Sequence, residues 1–261
     1  MGKHTKLPVK KKSPTNITER QPLEMLSMDL GFRPTRTLGG RKCYLVAVDF
    51  KTGHAWVRLL RHKGETFGTA QLLVKKLKTQ FPDLAVKIIR TDGESVFKSN
   101  EFNQWMDQMG IDHFKSNKHS SYQNGQAEIV IRILDEMVDT MIFDSGAPRN
   151  LWGEAMHTSC YVYNLRPRPT NKGLISPKEA LTGKRPDISH LRKFGCLAWL
   201  HVHKVERKKG QPKSIKCALL GYADDDAGGF KSKGYRLFNL ESRKVVYGQH
   251  VTTDETRFPF K

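Results

Sequence analysis

Apolar residues at 130, 133, 134, 137, 138 and 141 (Val130, Ile133, Leu134, Met137, Val138, Met141) recur at the i, i+3, i+4, i+7 spacing of an amphipathic helix. Asn124-Gly125 is a turn and helix-start signal just before it, so the helix opens there. Its polar side carries Glu128, Arg132, Asp135 and Asp139, which puts Glu128 in the first turn, turned away from the apolar stripe. A second helical period covers 65–81, where Phe67, Ala70, Leu73, Val74 and Leu77 form the buried stripe and Lys75, Lys76 and Lys78 a solvated face. Pro82 stops it. Shorter helices are predicted over 100–109, closed by Gly110, and over 151–165, where Trp152, Ala155, Met156, Ser159, Val162 and Tyr163 bury an aromatic-rich stripe.

Between these helices the pattern switches to strands. Runs at 26–32, 43–50 and 55–60 are separated by the turn signals Gly39-Gly40 and Thr52-Gly53, a series of three hairpin-linked strands. A β-branched run at 86–91 delivers Asp92 at the exit of a fourth, buried strand, and 111–114 reads as a fifth. Residues 166–193 hold four prolines and eight Lys or Arg with a short helix at 177–181, the composition of a linker. From Phe194 onward short strand-like runs (CLAWLHV, KCALLGY, GYRLF, KVVYGQHV) alternate with polar or Gly-rich turns, which predicts a small β-barrel. The organisation expected is a disordered basic arm over 1–21, an α/β core over 22–165, the linker, and a small β unit over 194–261.

Charge narrows the partners. Lys plus Arg number 45 against 26 Asp plus Glu, a net charge of +19 that suits a polyanion, with nucleic acid the first candidate. No apolar stretch approaches the roughly 20 residues of a membrane-spanning helix and no signal-peptide pattern opens the chain, so a soluble intracellular protein is expected. Cys43, Cys160, Cys196 and Cys217 are scattered without a C-x-x-C pair and read as reduced, packed thiols. The run Lys10-Lys11-Lys12 suits an import receptor, phosphates or plain solvation. In the aperiodic stretch 116–125, Lys118, Tyr122, Gln123 and Asn124 can meet phosphate, sugar or base edges or form a polar loop tip, and His119 is a proton shuttle or a solvent-facing ring. Arg132 shares the face of Glu128 and either binds a phosphate or pairs with Glu128 or Asp135. Between 203 and 216 six basic residues face one acid; Lys204, Arg207, Lys208 and Lys209 are assigned there to phosphate contact, with a solvated loop as the alternative.

Three acids carry the candidate chemistry: Asp29 on the first strand, Asp92 and Glu128. Carboxylates about 4 Å apart repel by roughly 1 to 4 kcal/mol per pair. A divalent cation removes that cost, hard oxygen ligands suit Mg²⁺ or Mn²⁺, and a pair of ions about 3.5 to 4 Å apart can hold both the attacking and the leaving oxygen of a displacement at phosphorus. Spacing alone is weak in a chain with 26 acids. Asp49 competes for the first position, although Lys51-Thr52-Gly53 beside it favours a turn role.

The residues around the acids add a resemblance. LEMLSMD (23–29), IRTDGESVFKSNEF (89–102), YQNGQAE (122–128), LWGEA (151–155), HLRKFGC (190–196), KCALLGY (216–222) and GYR (234–236) resemble, in order, successive landmarks of the integrase of Copia-type LTR retrotransposons. The resemblance implies a ribonuclease H-like core, a mixed five-stranded sheet flanked by helices, followed by the small β unit. It also implies an Asp, Asp, Glu triad at Asp29, Asp92 and Glu128 binding two Mg²⁺ (or Mn²⁺) ions. The activity implied is 3′-end processing and strand transfer of the element's double-stranded DNA into target DNA, by a homo-oligomer assembled on DNA in the nucleus. The sequence departs from the family at Gly93 to Val96 and at Ile129 and Ile131, which stand where Arg and Asn are usual, and only His4 and no cysteine precedes the core where a zinc module is usual. The alternative is therefore an integrase-derived DNA-binding protein without turnover.

Overall fold

The computed structural model describes residues 20–92, 95–115, 125–170, 173–203, 207, 212–223 and 234–261. Its first sheet contains β1 (Met25–Phe32), β2 (Cys43–Asp49), β3 (Ala55–Leu60), β4 (Ile88–Thr91) and β5 (Asp112–Lys115) in the order β3-β2-β1-β4-β5. The three hairpin-linked strands are antiparallel, and β4 and β5 join parallel to β1. This is the mixed five-stranded sheet expected. The helices are α1 (Thr66–Gln80), α2 (Asn100–Met109), α3 (Gly125–Ser145), α4 (Trp152–Leu165) and α5 (Pro177–Thr182).

Strand alternation sorts the helices onto the two faces. Leu26, Met28 and Leu30 of β1 point to a core shared with Leu73 and Leu77 of α1 and Phe102 and Met106 of α2. The intervening residues Ser27, Asp29 and Gly31 lie opposite Val48, Val46 and Tyr44 of β2, whose side chains join Val130, Leu134 and Val138 of α3 and Trp152, Ala155 and Met156 of α4. Gly31 allows this packing, because a Cβ there would collide with the Tyr44 ring lying across it.

The linker is more ordered than its composition suggests. It holds a two-stranded hairpin, β6 (Arg168–Thr170) with β7 (Gly173–Ile175), and α5, which Ser176 caps by accepting from the Glu179 N–H at 3.1 Å. Arg168 stacks 3.9 Å above the Tyr163 ring, tying the hairpin back to α4.

The second sheet is antiparallel in the order β11-β10-β9-β8-β12, from β8 (Leu197–His201), β9 (Ser214–Tyr222), β10 (Tyr235–Asn239), β11 (Val245–Gly248) and β12 (Val251–Asp254). Cys196, Ala198, Cys217, Leu219 and Leu237 form its own small core, while Ala218, Leu220 and Phe238 turn outward into the α3/α4 core of the first sheet. Helix α4 thus packs between the two sheets. Thr158 donates to the Leu220 carbonyl at 2.6 Å, and its side chain fills the place where Gly221, at φ 143°, would otherwise carry a Cβ. Glu154 meets Arg236 at 2.6 Å across the same joint. All four cysteines are buried thiols outside any disulfide, as read from their spacing.

Candidate active site

The register of β1 against β4 ends one residue before two of the three acids. Met28 lies opposite Thr91, the last pair of the ladder, and Asp29 and Asp92 are the next residues of the two segments. Both follow the alternation that points Ser27 and Arg90 to the α3 side of the sheet. Asp29 is buried, one oxygen accepting from the Leu30 N–H at 2.8 Å, and Asp92 is half-buried just beyond the end of β4.

Glu128 reaches that side on a different element. It is exposed in the first turn of α3, beside a buried stripe of Ala127, Val130, Leu134 and Val138 that sets the helix on the sheet. Two contacts bracket α3. At its start, Gln126 Nε2 donates to the Phe50 carbonyl at 3.5 Å; further along, Arg33, just past β1, donates to both oxygens of Asp139 at 2.7 and 3.3 Å and lies 3.6 Å from Asp135. Glu128 lies within this bracket, two residues beyond Gln126. Among the described residues no group of three or more His, Cys, Asp or Glu is placed to hold a metal ion.

Arg33 and Tyr44 escaped the sequence reading. Asp135 and Asp139 were expected simply on a polar helix face, and Arg132 was a candidate partner for Asp135. The structure gives both acids to Arg33, and Arg132 stands exposed one turn after Glu128. A salt bridge between residues 33 and 139 leaves no trace in local periodicity. Gly31 inside a strand was the available signal for Tyr44, since such a glycine marks close approach. Burial, and then the charge and proximity of Asp135, push the Tyr44 phenol well above its ordinary range; the Asp29 charge adds to this. Its hydroxyl is buried beside Asp135. Asp135 is itself raised by burial, against the pull of Tyr44 and Arg33. Beneath the start of α3, Arg90 lies 5.6 Å from the Phe50 ring centre, and burial followed by the Arg20 charge lowers its guanidinium.

Asp49 takes the turn role. It is fully buried, accepts from the Leu23 N–H at 2.9 Å, and accepts from the Thr52 N–H and hydroxyl at 2.9 and 2.6 Å, which closes the β2–β3 turn. Burial raises its carboxyl against those hydrogen bonds, the first of them from Thr52. Lys118, His119, Tyr122, Gln123, Asn124, Lys204, Lys208 and Lys209 lie outside the described residues; Arg207 is half-buried.

The donor chemistry of Asp29 and Asp92 fits a hard divalent cation. Mg²⁺ is commonly held by one or two carboxylates, with water and substrate phosphate completing six oxygens, so an adjacent pair needs no all-protein cage.

Comparison with known proteins places the chain. A family model described as the retroviral polymerase SH3-like domain matches residues 196–261, the second sheet. The retrovirus-related Pol polyprotein of transposon TNT 1-94 from Nicotiana tabacum is 31% identical over 220 residues, 84% of this chain. Over most of its length the chain matches Copia-type retrovirus-related Pol polyproteins of plant transposons. It spans 16% of that polyprotein and likewise 16% of the Pol polyprotein of transposon RE2 from Arabidopsis thaliana, which is 26% identical over 95% of this chain. Among solved structures, a simian T-cell lymphotropic virus intasome in complex with PP2A regulatory subunit B56 gamma covers 87% of this chain at 12% identity and a TM-score of 0.51, with 76% of that chain covered. The likeness is one of fold, and it spans both sheets of this Pol segment.

Proposed function

We propose that this Pol segment is the catalytic core and C-terminal unit of a retrotransposon integrase, a metal-dependent polynucleotidyl transferase that processes 3′ ends of element DNA and joins them to target DNA. The observation that carries it is the ladder of β1 against β4, which ends one residue before Asp29 and Asp92, with Glu128 exposed in the first turn of α3, the helix packed on that sheet. Asp29, Asp92 and Glu128 would hold Mg²⁺ or Mn²⁺, which when bound polarises a phosphoryl oxygen and activates the attacking hydroxyl. The chain's own part is positional. In this reading the ladder fixes Asp29, the end of β4 aims Asp92, and the Gln126 and Arg33 contacts hold α3, which carries Glu128 in its first turn. Duplex DNA is the polyanion that suits a charge of +19, with Lys118, Tyr122, Gln123, Asn124, Arg132, Lys204, Arg207, Lys208 and Lys209 as its contacts. Work on two DNA ends implies a homo-oligomer assembled on DNA, and the division at 166–193 and a nuclear location belong to the same reading.

A second reading is a DNA-binding descendant without turnover. Ile129, 50% exposed next to Glu128, favours it, because an apolar side chain there replaces a group able to contact phosphate. Incubating the purified chain with element-end duplex and Mg²⁺ or Mn²⁺ beside Glu128→Gln separates the two. Cleavage and joining by the wild type, lost in the variant, supports the integrase; equal nicking by both removes the catalytic assignment, and salt-sensitive binding without cleavage supports the descendant.

A further inference from the structure

Asp92 stands just outside the β-ladder, with the last paired residue of β4, Thr91, next to it. Because neighbouring residues of a strand point to opposite faces, whatever pins the Thr91 side chain on the α2 side also sets how Asp92 leaves the sheet on the α3 side. Thr91 is fully buried, and its Oγ lies 2.9 Å from Nε2 of His113 and 3.1 Å from the carbonyl of Asp92. His113 is held in turn. It sits on β5 opposite Ile89, its ring packs 5.4 Å from that of Phe102, and its Nδ1 lies 3.3 Å from Oδ1 of Asn103. The Asn103 amide nitrogen donates to the carbonyls of Ser99 at 3.0 Å and Lys98 at 3.4 Å, which turns its oxygen to the imidazole. A chain of side chains therefore runs from the start of α2 through β5 to the peptide unit bearing Asp92.

We propose that His113 is a positioning residue for Asp92, acting through Thr91: it orients the threonine hydroxyl and so holds the strand end from which the carboxylate reaches a divalent cation. This rests on the metal-ligand reading of Asp92 given above. Groups behind a metal ligand commonly change metal affinity 10- to 100-fold when removed.

The test is Mn²⁺ binding to the full chain, followed by electron paramagnetic resonance of the free ion, so that the readout does not depend on turnover. His113→Phe keeps the ring against Phe102 and removes both hydrogen bonds; it is expected to weaken Mn²⁺ binding roughly tenfold or more while its melting temperature shows that it folds. His113→Gln reaches Thr91 with an amide and is expected to recover most of the affinity, whereas His113→Asn is too short and behaves as Phe does. Unchanged binding in His113→Phe, or Gln no better than Phe, overturns the proposal. Asp92→Asn gauges the reading beneath it. If that variant binds Mn²⁺ as the wild type does, the metal assignment fails and the proposal with it; if it loses Mn²⁺ while His113→Phe keeps it, only the role of His113 falls.

Discussion

Helices α3 and α4 follow one another on the same side of the first sheet, yet they use charge in opposite ways. Along α3 the acids face outward or toward a single arginine: Glu128 is exposed, and Asp135 and Asp139 share Arg33. Along α4 the polar groups close on specific partners in the second sheet, Glu154 on Arg236 and Thr158 on the Leu220 carbonyl. Buried polar groups that close on partners across a joint fix one arrangement of two parts, while an excess of carboxylate around an open face is costly unless a cation joins it. The first pattern belongs to a joint and the second to a site.

The joint is where substitution costs most. Glu154→Leu strands a buried guanidinium and should remove about 3 to 5 kcal/mol, read by chemical denaturation. The double variant Glu154→Leu/Arg236→Met should regain most of it; a double variant as weak as the single one would show that the ion pair is not what joins the sheets. Next comes Gly221→Ala, which drives a methyl into Thr158 at a positive φ and should cost about 1 to 3 kcal/mol, with the second sheet loosening first in hydrogen exchange.

The third effect depends on pH. His157 is half-buried on α4 with its Nδ1 sealed from solvent; burial, then Arg236 and Arg58, push its imidazole down to about 3 from 6.5. The unfolded chain takes up this proton before the folded one does. Stability contributed by neutral His157 is therefore present above pH 6.5 and lost as pH falls from there toward 3, by at most about 1.4 kcal/mol per pH unit. In a titration of melting temperature, His157→Asn should flatten this slope, and an unchanged slope would assign it to other groups. Arg33→Ala should have the smallest effect on stability, about 1 kcal/mol or less, because Asp139 is largely exposed, while freeing the second half of α3 in hydrogen exchange.

The same division governs what could be read from sequence. Strand and helix periods placed the first sheet within a residue or two, apart from Val86 and Lys87, which precede β4 rather than belong to it. The positions of Asp92 just after β4 and Glu128 in the first turn of α3 were legible because strand exits and helix starts have local signatures, whereas Asp29, inside β1, was singled out by resemblance. The hairpin in the linker was not, since three-residue strands interrupted by Pro169 carry no period. Arg33, His113 and the Glu154–Arg236 contact were invisible for another reason: each joins residues from separate elements, and only the assembled fold brings them together.

The central claim is that Asp29 and Asp92 form one oxygen-donor surface that Glu128 completes. Its most direct test is anomalous diffraction at the manganese edge from crystals of the chain grown with Mn²⁺ and an element-end duplex. The account predicts density touching the carboxylates of both aspartates, with Glu128 within coordination distance of the ion or of a second one. Manganese bound elsewhere, with Asp29 and Asp92 holding no ion, would contradict it.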